Sequence, residues 1–415
     1  MKPTRLDFLR TAGTAAALPA LTATGAPQAK NPSPAARPAD LGSRFADVEA
    51  LIRQNNYRLS FLGSRFDTLA AFEAEARKSV FDALLYHPEP VDPQPEVLET
   101  VDCGSYTRRR ITFRTTPNFR VPAYVLVPKN LSGPAPGIVD LHSHGGMFLF
   151  GKEKVVDLNA GGTRNHVAMV PYHRENYESR PTATALVQRG YVVISIDAFG
   201  FGERRIVLDQ DLPSAADRDS MSVEEVRRFS RICASKESTI VKSLTLAGHT
   251  WPGIVFWDDI RTVDYLSSLP EVDPKRIGCL GVSMGGYRSL YLAALDPRIR
   301  AACIAGFMST AKPMLRTHVD THSFIHFLPA LHRDLDFPDV ATLTAPRALM
   351  VLQCSRDGLF PLEGMRESVT QIAAGYRKAG VADRFRGEFY DHPHIFSLNM
   401  QNDAFAWLDR HLRES

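Results

Sequence analysis

The sequence lacks the features that would direct it into a membrane or onto nucleic acid. No apolar run approaches the ~18 residues that cross a bilayer. Charge is nearly balanced, with 49 Lys and Arg against 46 Asp and Glu, so the net +3 gives no basic surplus for a polyanion. Cysteine is sparse and unpatterned. Cys103, Cys233, Cys279, Cys303 and Cys354 contain no CxxC pair, and an odd number excludes a framework in which every thiol is paired within the chain. Three of them, Cys279, Cys303 and Cys354, fall in apolar runs, where cysteine acts as a small hydrophobe. There are no internal repeats. What is present is 415 residues with 44% hydrophobic content, enough for one large domain with a substantial core and some appendages.

Residues 1–29 carry Lys2, Arg5 and Arg10, then an Ala/Thr/Leu stretch, then small residues at Ala23, Ala26 and Ala29. That is the layout of an export signal peptide, set aside from fold reasoning. The segment "TRLDFLR" resembles a degenerate twin-arginine signal in which Leu6 replaces the second arginine, so a periplasmic or secreted protein is expected by either that route or the general one. Residues 30–42, with "NPSPAARPAD", read as a linker. Residues 43–99 read as an N-terminal helical extension: Phe45, Val48, Leu51 and Ile52 have helical spacing, and Pro88, Pro90, Pro93 and Pro95 end it.

From residue 100 to 415 the pattern is that of a catalytic domain. "RRRITFRT" and "RVPAYVLVP" alternate around "TPNF" and predict a hairpin. Then "GIVDLH", "YVVISID", "RIGCLGV", "RAACIAG" and "RALMVLQC" run unbroken, separated by helical segments such as "TATALVQRG" and "WDDIRTVDYLSSL". Such alternation predicts an α/β fold with a mainly parallel central sheet covered on both faces. Ligands bind such sheets at the carboxyl ends of the strands.

Those ends carry the chemistry. Gly281-Val282-Ser283-Met284-Gly285 has GxSxG spacing, in which glycines relieve crowding where a strand turns sharply into a helix and a serine hydroxyl is left projecting. "HSHGGM", residues 142–147, follows another strand; the amide of Gly145 or Gly146 would join that of Met284 as an oxyanion hole. Asp357, in "SRDGLFP", and His392 or His394, in "HPHIF", complete a nucleophile, acid and base, with His394 preferred because "PHIF" leads into the C-terminal helix. His144, Glu203 and Arg204 are candidate substrate contacts, although Glu203 and Arg204 in "DAFGFGERR" read first as a structural turn with an internal ion pair. Insertions 148–180 and 206–256, with Trp257 just beyond the second, place Phe148, Phe150, Tyr172, Tyr177, Trp251 and Trp257 where they would wall the site. His318, His322 and His326 recur every four residues, but no HExxH carboxylate accompanies them and Pro313 and Pro329 limit a helix there. No metal is expected.

Taken in order, "HSHGG", "IDAFGFGERR", "LPEVDPKRIGCLGVSMGG", "SRDGLFP" and "DHPHIF" resemble the dienelactone-hydrolase-like and acetyl xylan esterase-like branch of the α/β-hydrolase superfamily, from about residue 100 to the end. The resemblance implies an α/β-hydrolase fold with lid-like insertions and a serine carboxylic ester hydrolase that forms an acyl-serine on Ser283. It implies no metal or organic cofactor and a small-molecule or carbohydrate ester substrate, with short acetyl-type acyl groups. Dienelactone hydrolases proper use cysteine, so the serine points away from their substrate. Two other functions stay open. A prolyl-oligopeptidase-like serine peptidase shares the catalytic domain but carries an N-terminal propeller, for which about seventy residues before the hairpin are too few. A catalytically inactive binding protein would keep the fold alone.

Overall fold

The computed structural model describes residues 38–211 and 217–413. The expected export signal lies outside the described residues. The unbroken apolar runs form the middle of a nine-stranded sheet: β1 (Glu96–Asp102), β2 (Tyr106–Arg114), β3 (Arg120–Pro128), β4 (Ala135–Leu141), β5 (Val192–Ile196), β6 (Val272–Val282), β7 (Ile299–Ala305), β8 (Ala348–Cys354) and β9 (Phe385–Tyr390). Their order is β1-β2-β3-β5-β4-β6-β7-β8-β9. The pairings β1/β2, β2/β3 and β3/β5 are antiparallel, and every pairing from β5 to β9 is parallel. Every residue of β4, β5 and β8 is buried, as a sheet covered on both faces requires. The chain passes from β4 outward to β5 and returns to the other side of β4 as β6. In open α/β sheets a reversal of strand order such as this one, at the carboxyl ends of β4 and β6, is where ligands bind.

The longer helices are α1 (Phe45–Arg53), α2 (Leu69–Leu84), α3 (Met169–Tyr177), α4 (Thr182–Gln188), α5 (Val223–Ser235), α6 (Glu237–Leu246), α7 (Trp251–Ser268), α8 (Met284–Leu295), α9 (Phe337–Thr342), α10 (Leu362–Lys378) and α11 (Leu398–Leu412). All of α8 is buried, so its apolar residues encircle it instead of forming one stripe. Thr250 starts α7 by accepting the Gly253 N–H on its hydroxyl at 3.0 Å, with Pro252 in the first turn.

The N-terminal segment departs from a continuous helical reading. α1 and α2 are separated by irregular chain, and β1 begins at Glu96 and pairs with β2, so the sheet starts inside the stretch expected to be helical. Within β1 only Val101 is buried, which left no alternation to read in the sequence. Leu59, Phe61, Phe66 and Phe72 enter the same core as the sheet. Lys378 of α10 donates to the carbonyls of Phe61, Gly63 and Phe66 at 2.6, 3.1 and 2.8 Å, and Arg58 grips Asp334 through two hydrogen bonds.

Between β6 and α8 the backbone turns at Ser283, with φ 60° and ψ −124°. A residue other than glycine in such a conformation stores on the order of 1–3 kcal/mol of strain. Its surroundings hold it there. A Cβ on Gly285 would lie 1.9 Å from the Leu141 carbonyl oxygen, and one on Gly281 would lie 2.5 Å from that oxygen and 2.5 Å from the Gly285 carbonyl carbon. A Cβ on Gly286 would lie 2.7 Å from the Ala305 oxygen. The glycines thus mark where β4, β6, β7 and α8 meet backbone to backbone. Gly285→Ala must push β4 and α8 apart and is expected to cost ~2 kcal/mol or more, read as a lower thermal midpoint. Gly133→Ala, where a Cβ meets nothing within 4 Å, is the control and should leave the midpoint in place. Equal midpoints for the two variants would show that the elbow tolerates the extra carbon.

Candidate active site

The structure brings the candidate residues to one end of the sheet. Ser283 follows β6, residues 142–146 follow β4, Asp357 lies just beyond β8, and His394 just beyond β9. His394 Nδ1 meets Asp357 Oδ2 at 2.6 Å, while Asp357 Oδ1 accepts the Leu359 N–H at 2.9 Å. Both carboxylate oxygens are therefore fixed. The Asp357 side chain is 1% exposed and that of His394 22%, so the carboxylate is shielded while the ring is partly open to solvent. A Cβ on Gly306 would lie 3.3 Å from His394 Cε1 and 3.5 Å from Val282 Cγ2. Ala305, just before that glycine, accepts the Ser283 N–H at 2.9 Å. The imidazole thus packs over the glycine that adjoins the elbow. His392 plays a different part: its carbonyl accepts the Arg356 N–H at 3.1 Å, and the partner of Asp357 is His394. Desolvation pulls the His394 pKa down, but the Asp357 charge and hydrogen bond outweigh it and the net shift is upward.

The loop after β4 is fastened from below. His142 Nε2 accepts the Ala198 N–H at 3.1 Å, so Nδ1 is the protonated nitrogen that donates to the Ser143 carbonyl at 3.0 Å. Ser143 Oγ shares hydrogen bonds with the Tyr172 and Tyr177 hydroxyls at 2.6 and 3.2 Å. The Lys154 ammonium donates to the Ser143 and His144 carbonyls at 2.9 and 2.8 Å and lies 4.8 Å from the Phe201 ring centroid. Its burial presses its pKa well below the usual lysine value. Gly145 and Gly146 have φ of 55° and 65°, and a Cβ on Gly145 would strike the Tyr172 hydroxyl at 2.3 Å. The Gly146 N–H donates to His144 Nδ1 at 3.1 Å, whereas the Gly145 N–H has no acceptor among the described residues.

This chain belongs to the Abhydrolase family. Its residues 48–392 match that family's model, which places it in the α/β-hydrolase superfamily. It is 26% identical over 341 residues to YtaP of Bacillus subtilis, named as a hydrolase, covering 82% of this chain and 99% of that one. Among solved structures, a Bacteroides fragilis protein assigned as an acetyl xylan esterase superposes with TM-score 0.63 at 18% identity, covering 84% of this chain and 82% of the other. A glucuronoyl esterase from Solibacter usitatus superposes with TM-score 0.55 at 15% identity, covering 82% of this chain and 92% of the other. At such identities these two establish a shared fold.

Several residues of this Abhydrolase chain are engaged elsewhere than the sequence placed them. Glu203 and Arg204, candidate substrate contacts, do not pair with each other. Glu203 takes Lys152 at 2.6 Å and Arg110 at 3.4 Å, while Arg204 takes Asp258 at 2.6 Å. His144, the third candidate contact, has both ring nitrogens committed within the protein, Nδ1 to Gly146 and Nε2 to Glu237 at 2.9 Å. The expected aromatic wall is also corrected: Phe148, Phe150, Tyr172, Tyr177 and Trp251 are buried in the packing, and Trp257 donates its indole N–H to the Thr115 carbonyl. His318, His322 and His326 do not share a helix. His326 ends a short 3-10 turn and stacks on Phe307, while His322 lies edge-on to Phe360. Burial lowers the His322 pKa to about 4, and no cluster of three or more potential metal ligands occurs among the described residues.

"GKEK", residues 151–154, was missed because a charged run reads as solvated, yet Lys152, Glu153 and Lys154 are all buried. Lys152 pairs with Asp197 at 2.8 Å, Glu203 at 2.6 Å and Glu153 at 3.1 Å, and Arg218 adds a second cation to Glu153 at 3.1 Å. Burial opposes the Lys152 charge, but Asp197, Glu153 and Glu203 outweigh it and hold its pKa above the usual lysine value. Glycine at 151 and 202 has the same cause: a Cβ at either position would lie 2.2 or 2.3 Å from an Asp197 oxygen or carbon.

Two measurements follow. Lys152→Met leaves buried carboxylates facing one another and is expected to destabilise by ~3–5 kcal/mol, seen as an early chemical-denaturation midpoint; an unchanged midpoint excludes the network as a stabilising element. In an NMR titration, assigned with His394→Gln, His394 should take up its proton at a pH above that of an ordinary histidine. Asp357→Asn removes the only upward influences and leaves desolvation, so the titration should move below the ordinary value. Movement in the opposite direction would contradict the assigned pair.

Proposed function

We propose that this protein is an exported serine carboxylic ester hydrolase that works through an acyl-enzyme on short, acetyl-type esters of carbohydrates or related alcohols. The observation that carries the reading is the His394–Asp357 pair seated over Gly306, beside the strained Ser283 turn. With Nδ1–H donated to Asp357, His394 Nε2 is the base. It takes the Ser283 hydroxyl proton as Oγ bonds to the ester carbonyl carbon. The resulting oxyanion sits at the positive end of α8, where the Met284 amide and, from the opposing loop, the Gly145 amide donate to it. When the intermediate collapses, the carbon–oxygen bond to the alcohol breaks and His394 returns the proton to that oxygen. Water then attacks the acyl-serine by the same route, with its proton taken by His394, and releases the carboxylic acid and Ser283.

Carbohydrate esters are favoured by the fold's likeness to an assigned acetyl xylan esterase and to a glucuronoyl esterase. The peptidase reading has less support, because the described residues ahead of the sheet form two helices and connecting chain, of which Leu59 to Leu84 pack into the core. No helix among the described residues is long and apolar enough to cross a membrane.

Hydrolysis of p-nitrophenyl acetate, butyrate and octanoate, followed by acetylated xylan, tests the proposal. Acetate should be turned over with a burst equivalent to the enzyme present, and faster than octanoate. Ser283→Ala should lose ~10³-fold or more in kcat. A wild type as inert as the variant would move the protein to the binding class.

A further inference from the structure

His144 and Glu237 form a connection that the proposed reaction does not use. Glu237 opens α6, in the insertion between β5 and β6, and is 2% exposed. Its Oε1 meets His144 Nε2 at 2.9 Å and accepts the Ser323 hydroxyl at 2.9 Å, while its Oε2 accepts the Phe324 N–H at 3.2 Å. The His144 ring is held edge-on between Phe148 and Phe201, with centroids 4.9 and 5.2 Å away. The Gly146 N–H points at Nδ1 from 3.1 Å. An N–H donor requires a lone pair, so Nδ1 is unprotonated and the proton is on Nε2, facing the carboxylate. Glu237 thereby sets the tautomer, and the tautomer fixes the Gly146 peptide.

We propose that His144, oriented by Glu237, is a positioning residue of the oxyanion loop: its Nδ1 captures the Gly146 amide so that the adjacent Gly145 amide is the one presented to the developing oxyanion. This rests on the esterase reading for its consequence in catalysis, but not for the tautomer itself. The bond from a side chain at one position to the amide two residues on has the connectivity of an Asx turn. Asparagine at 144 therefore replaces the acceptor without any tautomer to choose. Glutamine at 237 has a different effect. Its amide oxygen must face the Phe324 N–H, so its NH₂ turns to His144, draws the imidazole into the Nδ1–H tautomer and sets two donors against each other at Gly146.

The test combines kinetics with a readout that does not require turnover. On p-nitrophenyl acetate, His144→Ala should lower kcat by ~10²-fold with KM little changed, the scale of losing one oxyanion donor. His144→Asn should recover at least about tenfold of that loss. Glu237→Gln should lower kcat by about tenfold or more in the wild type and have little effect in the His144→Asn background. Thermal midpoints of all variants are read alongside. In ¹⁵N-histidine-labelled protein the His144 ring should be neutral with the proton on Nε2, and should move to Nδ1 in Glu237→Gln. Equal loss in the Asn and Ala variants, or an equal cost of Glu237→Gln in both backgrounds, overturns the inference. So does an Nδ1–H ring in the wild type, whatever the activity. A wild type inert toward every ester while showing the expected tautomer overturns the esterase reading alone.

Discussion

The Leu141 carbonyl oxygen occupies the space that a side chain on Gly285 or Gly281 would need. That contact sets the separation between the end of β4 and the start of α8, and with it the distance between the Met284 amide and the loop after β4. Any side chain there would hold β4 and α8 apart by at least its own radius and carry that amide away from the loop. The strained Ser283 conformation follows from the same crowding: the chain has room to leave β6 and enter α8 only through a turn that ordinary residues avoid. The remaining parts need less. Asp357 and His394 arrive on separate loops and are joined by one hydrogen bond and by packing over Gly306.

The loop opposite the elbow is held by polar groups that are costly to bury, and each has its partner. Two backbone carbonyls take the Lys154 ammonium, two tyrosine hydroxyls take Ser143, and His142 bridges to the strand-end amide of Ala198. Lys154 illustrates the balance: burial disfavours its charge, and the carbonyl oxygens and the Phe201 ring face offset part of that loss. Beneath it, Lys152, Arg218 and Arg110 offset the carboxylates of Asp197, Glu153 and Glu203. Breaking such a network leaves an uncompensated charge, which makes it a rigid base more than a source of net stability. Rigidity suits the oxyanion role proposed for this loop, because donors fixed in advance need not reorganise as charge develops.

The parallel sheet was legible because strands covered on both faces have no polar alternation, and "RALMVLQC" is buried from Ala348 to Cys354 as that pattern demands. GxSxG was legible because its spacing has a steric cause that the structure displays atom by atom at Gly281 and Gly285. Asp357 and His394 were read from their places after apolar strands, with "PHIF" leading into the C-terminal helix favouring His394 over His392, and it is the His394 ring that meets Asp357. What sequence could not give was the side on which a residue lies. "GKEK" has the composition of a solvated turn and is wholly buried, and the aromatics of the insertions have the composition of a sugar platform and fill the core. Glu237, ~90 residues after His144, has no spacing signature at all. Pairing across such a separation is a property of packing, which periodicity does not report.

Seen from the site, the insertions act less as walls than as braces. The segment after β4 supplies Lys152, Lys154, Tyr172 and Tyr177, and the one after β5 supplies Glu237, all directed at the loop or at the ion network under it. Glu237 also takes Ser323 and Phe324, so the segment after β7 is tied to the same point, beside the His322 and His326 rings that pack on Phe360 and Phe307. A change of substrate range made through these segments would therefore disturb the loop proposed to hold the oxyanion before it reshaped a pocket. Substitutions in the insertions are expected to act first on kcat, and selectivity for the acyl or alcohol group must be sought in side chains that do not also brace the loop.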